Sequence, residues 1–142
     1  MTTIPKPIPV PDADSEGFWK AAANHVLAIQ RCTECGWFGY PPVVVCHGCL
    51  SPTRSFRFEE VSGRGTLKTW TVLHNAFLPG FQGDIPYVVA EIQLAEQEGL
   101  IMVVQLVGAD PESLRIGLPA EVIFDDVADG VSVPHFQLVE QG

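Results

Sequence analysis

Between residues 87 and 95 apolar and polar positions alternate: Val88, Ala90, Ile92 and Leu94 fall on one face, Val89, Glu91 and Gln93 on the other. A period of two with one apolar face predicts a half-buried β-strand. Thr66–Leu73, rich in β-branched and aromatic residues, predicts a strand before it. Gln97-Glu98-Gly99 turns the chain into a third strand, Leu100–Val107, apolar on both faces. Two more are expected, Ala120–Phe124 and Val131–Val139, separated by an acidic turn at Asp125–Gly130. Asp110-Pro111-Glu112-Ser113 reads as an N-cap with proline at the first helical position. A helix of one to two turns should follow to about Ile116 and end at Gly117-Leu118-Pro119.

The N-terminal part has a different rhythm. Pro5, Pro7, Pro9 and Pro11 at alternate positions predict an extended, polyproline-like arm outside any core. Phe18, Trp19, Ala22, Ala23, Val26 and Ile29 recur at helical spacing and predict a helix over 15–30. Asp12, Asp14 and Ser15 are competent N-caps, and Glu16 suits the positive end of the helix dipole. Such a helix packs either on its own domain or on a partner. Five short strands with a small helix between the third and fourth is the order of an OB-fold barrel, a partly open Greek-key barrel. The expected class is mainly β. An arm and helix occupy residues 1–30, a ribbon 31–57 and the barrel 58–142.

The chemistry lies in the ribbon. Cys32-Thr33-Glu34-Cys35 and Cys46-His47-Gly48-Cys49 contain all four cysteines of the chain. Two such knuckles can wrap one tetrahedral Zn²⁺, because each turn puts two thiolates on one side. Gly36 and Gly48 suit tight turns whose backbone N–H groups bond to sulfur. A disulfide reading meets an N-terminus without an apolar signal segment. A thioredoxin-like reading needs a helix where Gly36 and Pro41-Pro42 stand. Four thiolates close the coordination sphere, so the expected metal is structural, zinc before iron. His47 reads as an exposed knuckle residue.

Composition narrows the function. The 142 residues are 46% hydrophobic and 18% charged, which suits one compact unit with a large protein contact. No run of 18 apolar residues is present, so neither a membrane span nor a membrane partner is expected, and a cytoplasmic location is. Residues 58–142 carry three basic and thirteen acidic side chains. A nucleic-acid face requires a basic stripe, so this charge disfavours nucleic acid as a partner. His25, His47, His74 and His135 are scattered and complete no catalytic motif, so no catalytic residue is assigned.

Four ordered blocks resemble a known family: Gln30-Arg31-Cys32-Thr33-Glu34-Cys35-Gly36 with Tyr40-Pro41-Pro42 and the second knuckle; Val61-Ser62-Gly63-Arg64-Gly65-Thr66; Pro86–Ala90; and Leu114–Val122. They are similar to the zinc-ribbon plus OB-fold proteins of acyl-CoA metabolism, long catalogued as a domain of unknown function. The likeness runs from about residue 15 to residue 139. It implies a rubredoxin-like ribbon and a non-catalytic accessory subunit. The partner would be a thiolase-like enzyme that makes or breaks C–C bonds on CoA thioesters, such as a β-ketothiolase or an aldolase of steroid side-chain or aromatic degradation. The spacer Val43-Val44-Val45 lacks the basic residues of some members.

Two groups of residues follow as candidates. Phe18, Trp19, Trp37, Phe38 and Tyr40 are expected to dock on the partner. The loop between the first two barrel strands offers His74, Asn75, Phe77, Phe81 and Tyr87 to wall an acyl-CoA channel shared with that partner, since in OB folds this loop borders the binding face. A free-standing acyl-CoA binder is the alternative.

Overall fold

The chain runs through α1 (Glu16–Ala23), β1 (Ala28–Cys32), β2 (Phe38–Gly39), β3 (Phe56–Glu60), β4 (Arg64–Leu73), β5 (Tyr87–Leu94), β6 (Ile101–Leu106), a 3₁₀ turn (Pro111–Ser113), β7 (Pro119–Ala128) and β8 (Val131–Leu138). This computed structural model describes residues 5–140. The first four residues of the expected arm and the last two of the expected barrel segment lie outside the described residues. Among the described residues no helix is long and apolar enough to cross a membrane.

β4 to β8 form a closed barrel in the order β4-β5-β6-β8-β7, and β2-β1-β3 form a separate antiparallel sheet. The barrel order is the Greek-key arrangement expected of an OB fold. The alternation read in β5 is realised: Val88, Ala90, Ile92 and Leu94 all point into the core. They meet Leu67, Met102 and Phe136, each with no exposed surface. β6 is apolar on both faces, but only Met102, Val104 and Leu106 are buried, and Val103 stands in solvent. The barrel closes through one parallel pair, Leu106 with Phe136, and a bond from the Val107 N–H to the Phe136 carbonyl at 2.8 Å.

Three expected elements differ. The helix stops at Ala23, not residue 30. The Asn24 side chain donates to the Lys20 carbonyl at 3.1 Å, and His25 takes the left-handed conformation with φ 59°. Ile29, which fits the helical spacing, instead lies fully buried in β1, where five residues pair with β3. Strand pairing beyond the turn overrides the helical periodicity, which is coincidental past Ala23. Ser15 is the N-cap residue, but its side chain does not cap. Its hydroxyl donates to Asp12 Oδ1, which also accepts from the Asp14 and Ser15 N–H groups.

The fourth barrel strand is longer than expected. Asp125 and Asp126 continue β7 opposite Val133 and Ser132, leaving the turn at Asp129-Gly130. Acidic side chains are tolerated there because they point outward or find partners. Asp126 accepts from Ser132 Oγ and bonds His25 Nε2 at 2.7 Å, and its carboxyl is held below the usual range chiefly by the Ser132 hydroxyl. The helix after β6 is a single 3₁₀ turn, capped by Asp110 accepting from the Glu112 N–H at 3.0 Å.

Candidate functional site

The two cysteine knuckles close in the same way. β1 delivers Cys32, whose carbonyl accepts from the Gly36 N–H at 2.9 Å; the Cys46 carbonyl accepts from the Leu50 N–H at 2.9 Å. The closing residue is left-handed in both, with φ 80° at Gly36 and 58° at Leu50. Gly48 serves a different purpose, since a Cβ there would come within 2.8 Å of the Trp37 side chain. In each knuckle the first cysteine is buried and the second exposed.

The four sulfurs converge. Cys32 Sγ and Cys49 Sγ are 3.9 Å apart, Cys35 Sγ and Cys46 Sγ 3.5 Å, and all four lie within 4.8 Å of one another. A tetrahedron of sulfurs each about 2.3 Å from a central ion has edges of about 3.8 Å. The cage therefore fits one thiophilic metal ion. Backbone N–H groups of Gly48 and Cys49 point at Cys46 Sγ at 3.3 and 3.5 Å. Burial pushes the Cys46 thiol up, but these N–H groups and the neighbouring sulfurs overcome it and bring it down to about 7. At Cys49 the Ser51 N–H favours the thiolate, yet burial and the other sulfurs outweigh it and push the thiol up to about 12. Sulfurs this close resist joint ionisation unless a cation sits among them. His47 is exposed, 5.4 Å from the Trp37 ring centroid, and is not among the ligand atoms.

Side chains outside the knuckles hold the cage in place. Arg31 Nε donates to the Gly36 carbonyl at 2.9 Å, Nη1 pairs with Glu59 at 2.5 Å, and the guanidinium covers the Phe38 ring at 4.5 Å. Buried Gln30 makes two bonds with the Val43 backbone, donating to its carbonyl at 2.9 Å and accepting from its N–H at 2.8 Å. Neither role was apparent beforehand, although Gln30 and Arg31 directly precede the first cysteine.

The expected docking residues separate into two kinds. Phe18 and Phe38 are 4% and 5% exposed and belong to the chain's own core, which corrects their assignment to a partner face. Phe18 packs edge-on against Trp19 at 5.0 Å and lies 5.7 Å from Tyr40, fastening α1 to the ribbon. Trp19, Trp37 and Tyr40 remain partly exposed. In the loop between β4 and β5, His74, Asn75 and Phe77 are exposed, Phe77 to 79%. Phe81 and Tyr87 are brought together with ring centroids 5.6 Å apart.

The comparisons with known proteins agree with this architecture. The family described as "ChsH2, rubredoxin-like zinc ribbon domain" matches residues 19–53, and "ChsH2, C-terminal OB-fold domain" matches residues 58–125. A DUF35 domain-containing scaffold protein of Methanocaldococcus jannaschii is 36% identical over 114 residues, spanning 76% of this chain and 77% of its own. The chain belongs to the DUF35/ChsH2 family.

A chain of the Ltp2-ChsH2(DUF35) aldolase superposes with a TM-score of 0.78 at 31% identity, covering 92% of this chain and 98% of that one. A probable enoyl-CoA hydratase alpha subunit of Thermomonospora curvata is 31% identical over 134 residues. That match takes in 93% of this DUF35 chain but only 40% of the hydratase subunit's length.

Proposed function

We propose that this chain is an accessory subunit of a thiolase-fold enzyme acting on CoA thioesters, with structural zinc in its ribbon. The carrying observation is the likeness, over nearly the whole of both chains, to a chain of the Ltp2-ChsH2(DUF35) aldolase. The similarity to a DUF35 scaffold protein and to an enoyl-CoA hydratase alpha subunit supports the same reading. Four thiolates suit Zn²⁺, which bound there supplies a cross-link between two turns of the ribbon and no open position for substrate. The ribbon so fixed presents Trp37 and Tyr40 beside Trp19 of α1, and the barrel presents the loop carrying His74, Asn75, Phe77, Phe81 and Tyr87. These surfaces dock the partner, and the loop walls the acyl-CoA channel at their junction.

Affinity purification of the tagged chain from its native cell, followed by mass measurement of the complex, tests the partner. A thiolase-like protein at near-equal stoichiometry is expected. A chain that elutes alone at every protein concentration overturns the reading. Elemental analysis of the purified complex should give one zinc per chain.

A further inference from the structure

One side chain fastens the proline-rich arm to the barrel. Lys6 Nζ pairs with Asp84 Oδ2 at 2.5 Å and lies 4.9 Å from the Phe81 ring centroid. The Lys6 backbone runs so close to Gly80 that a Cβ on that glycine would sit 2.6 Å from Lys6 N, and Gly80 is left-handed with φ 87°. Both facts require glycine at that position. The two side chains are partly exposed, and such a pair is worth little alone, but here a ring and a close backbone approach act on the same residue.

Beneath the arm lies a cleft of about 300 Å³. Pro7, Ile8 and Pro9 of the arm line it together with Leu78, Phe81 and Val133. Gln105, Asp125 and His135 make the polar end and also line an adjoining cleft of about 420 Å³. His135 Nε2 stands 3.6 Å from Asp125 Oδ2. The size is that of a pocket for a small molecule, mostly apolar with a few convergent polar groups.

Charge selects the ligand. Lys6 is already paired with Asp84, and the polar end holds the Asp125 carboxylate with His135 beside it, so no unpartnered cation is offered to an anion. A carboxylate or phosphate entering there meets an unfavourable field. We propose that this cleft binds a small uncharged amphipath, a short aliphatic chain bearing one hydroxyl or carbonyl group, and that the arm is its movable wall. The chain packs between Ile8 and Val133, and the polar group faces Gln105 and His135. Only the arm-docked state supplies the contacts of Pro7, Ile8 and Pro9, so apparent affinity scales with the docked fraction. The site is built wholly from this chain and needs no partner subunit.

Isotope-labelled full chain, without any partner, is titrated with 1-hexanol and separately with sodium hexanoate, following backbone amide resonances. Saturable shifts at Ile8, Phe81, Val133 and His135 are expected for hexanol, with hexanoate binding at least tenfold more weakly. Lys6→Ala should weaken hexanol at least threefold while the Ile92 amide stays unmoved. Ile8→Ser, also in the arm, should weaken it likewise without burdening the barrel fold. Unsaturable shifts, equal affinity for hexanoate, or unchanged affinity in both arm variants overturns the proposal.

Discussion

The side-chain amide of Gln97 forms a two-bond pair with the backbone of Phe38: Oε1 accepts from the Phe38 N–H at 2.9 Å, and Nε2 donates to the Phe38 carbonyl at 2.8 Å. Phe38 lies in β2, one of the two edge strands of the ribbon sheet, and Gln97 in the turn between β5 and β6 of the barrel. A single glutamine thus stands where a further strand would pair, and it ties the two sheets together. Gln97→Leu leaves both Phe38 backbone groups without that partner. Leaving such groups unmet costs about 2–3 kcal/mol when they are partly buried. Denaturant unfolding of the metal-loaded protein measures this, and a change below about 0.5 kcal/mol would show that water replaces the glutamine at no cost.

The matched geometry of the two knuckles makes a prediction of opposite signs. Gly36 and Leu50 occupy equivalent closing positions, both with positive φ. A left-handed leucine carries a cost of about 1–2 kcal/mol that glycine avoids, less the greater entropy glycine loses on folding. Leu50 is 71% exposed, so its removal sacrifices little packing. Leu50→Gly should therefore stabilise the protein by roughly 0.5–1 kcal/mol, and Gly36→Ala should destabilise it by a similar amount. Thermal unfolding of both variants decides it; a loss of stability in Leu50→Gly would mean that the leucine makes a contact worth more than the strain.

Metal removal should divide the molecule. The ribbon sheet has only three short strands, whereas the barrel owns the core around Leu67, Ile92, Met102 and Phe136. Structural zinc contributes on the order of 10–16 kcal/mol in small sites, so chelation should unfold residues 28–60 at least. Amide hydrogen exchange should accelerate at Ile29 and Arg31, while Ile92 and Met102 stay protected. Cys32→Ser should reproduce the pattern without chelator. Protection that persists throughout the ribbon after metal loss would show that Gln30, Arg31 and Gln97 suffice.

The barrel was legible in the sequence because strict alternation in β5 and turn residues at its ends allow one face only. The cage was legible because thiolate spacing is itself the signal. What escaped depends on contacts distant in sequence. The helical spacing of Ile29 competes with its pairing to Glu59, which is 30 residues away. Acidic Asp126 continues a strand because Ser132 and His25 receive it. Phe18 and Phe38 look equally suited to a partner's face or to a core; the packing of Phe18 on Tyr40 and of the Arg31 guanidinium over Phe38 decides. Gln97, an ordinary turn residue by type, acquires its role from a strand 59 positions earlier.

Acid should weaken the ribbon through Glu59. The Arg31 guanidinium, hydrogen-bonded to Glu59, holds this carboxyl below its ordinary value of 4.5, against a smaller opposing effect of burial and with help from Arg57. A carboxyl whose folded value is depressed contributes stability that is complete above about 4.5 and is lost as pH falls through the folded value. Glu59→Gln removes that dependence. Wild type and variant should therefore converge in stability as pH drops below 4.5, with the wild type more stable near neutrality. Parallel curves across that range would show that Arg31 stabilises the knuckle through Gly36 alone.

Phe77 and Phe81 separate partner binding from folding. Phe77 is 79% exposed at the tip of its loop, so Phe77→Ala should change stability by no more than about 0.5 kcal/mol. Phe81 packs between Tyr87 and Lys6, so Phe81→Ala should lower stability by about 1 kcal/mol or more, since it removes a ring pair and a cation–π contact together. If the loop meets the partner subunit, Phe77→Ala should still weaken the complex, by about tenfold for a contact of hot-spot quality. Titration of the purified partner against each variant, alongside denaturant unfolding of the free chain, gives both quantities. A Phe77→Ala protein that binds the partner as tightly as wild type would remove this loop tip from the interface and leave docking to the ribbon side, where Trp19 and Trp37 stand partly exposed.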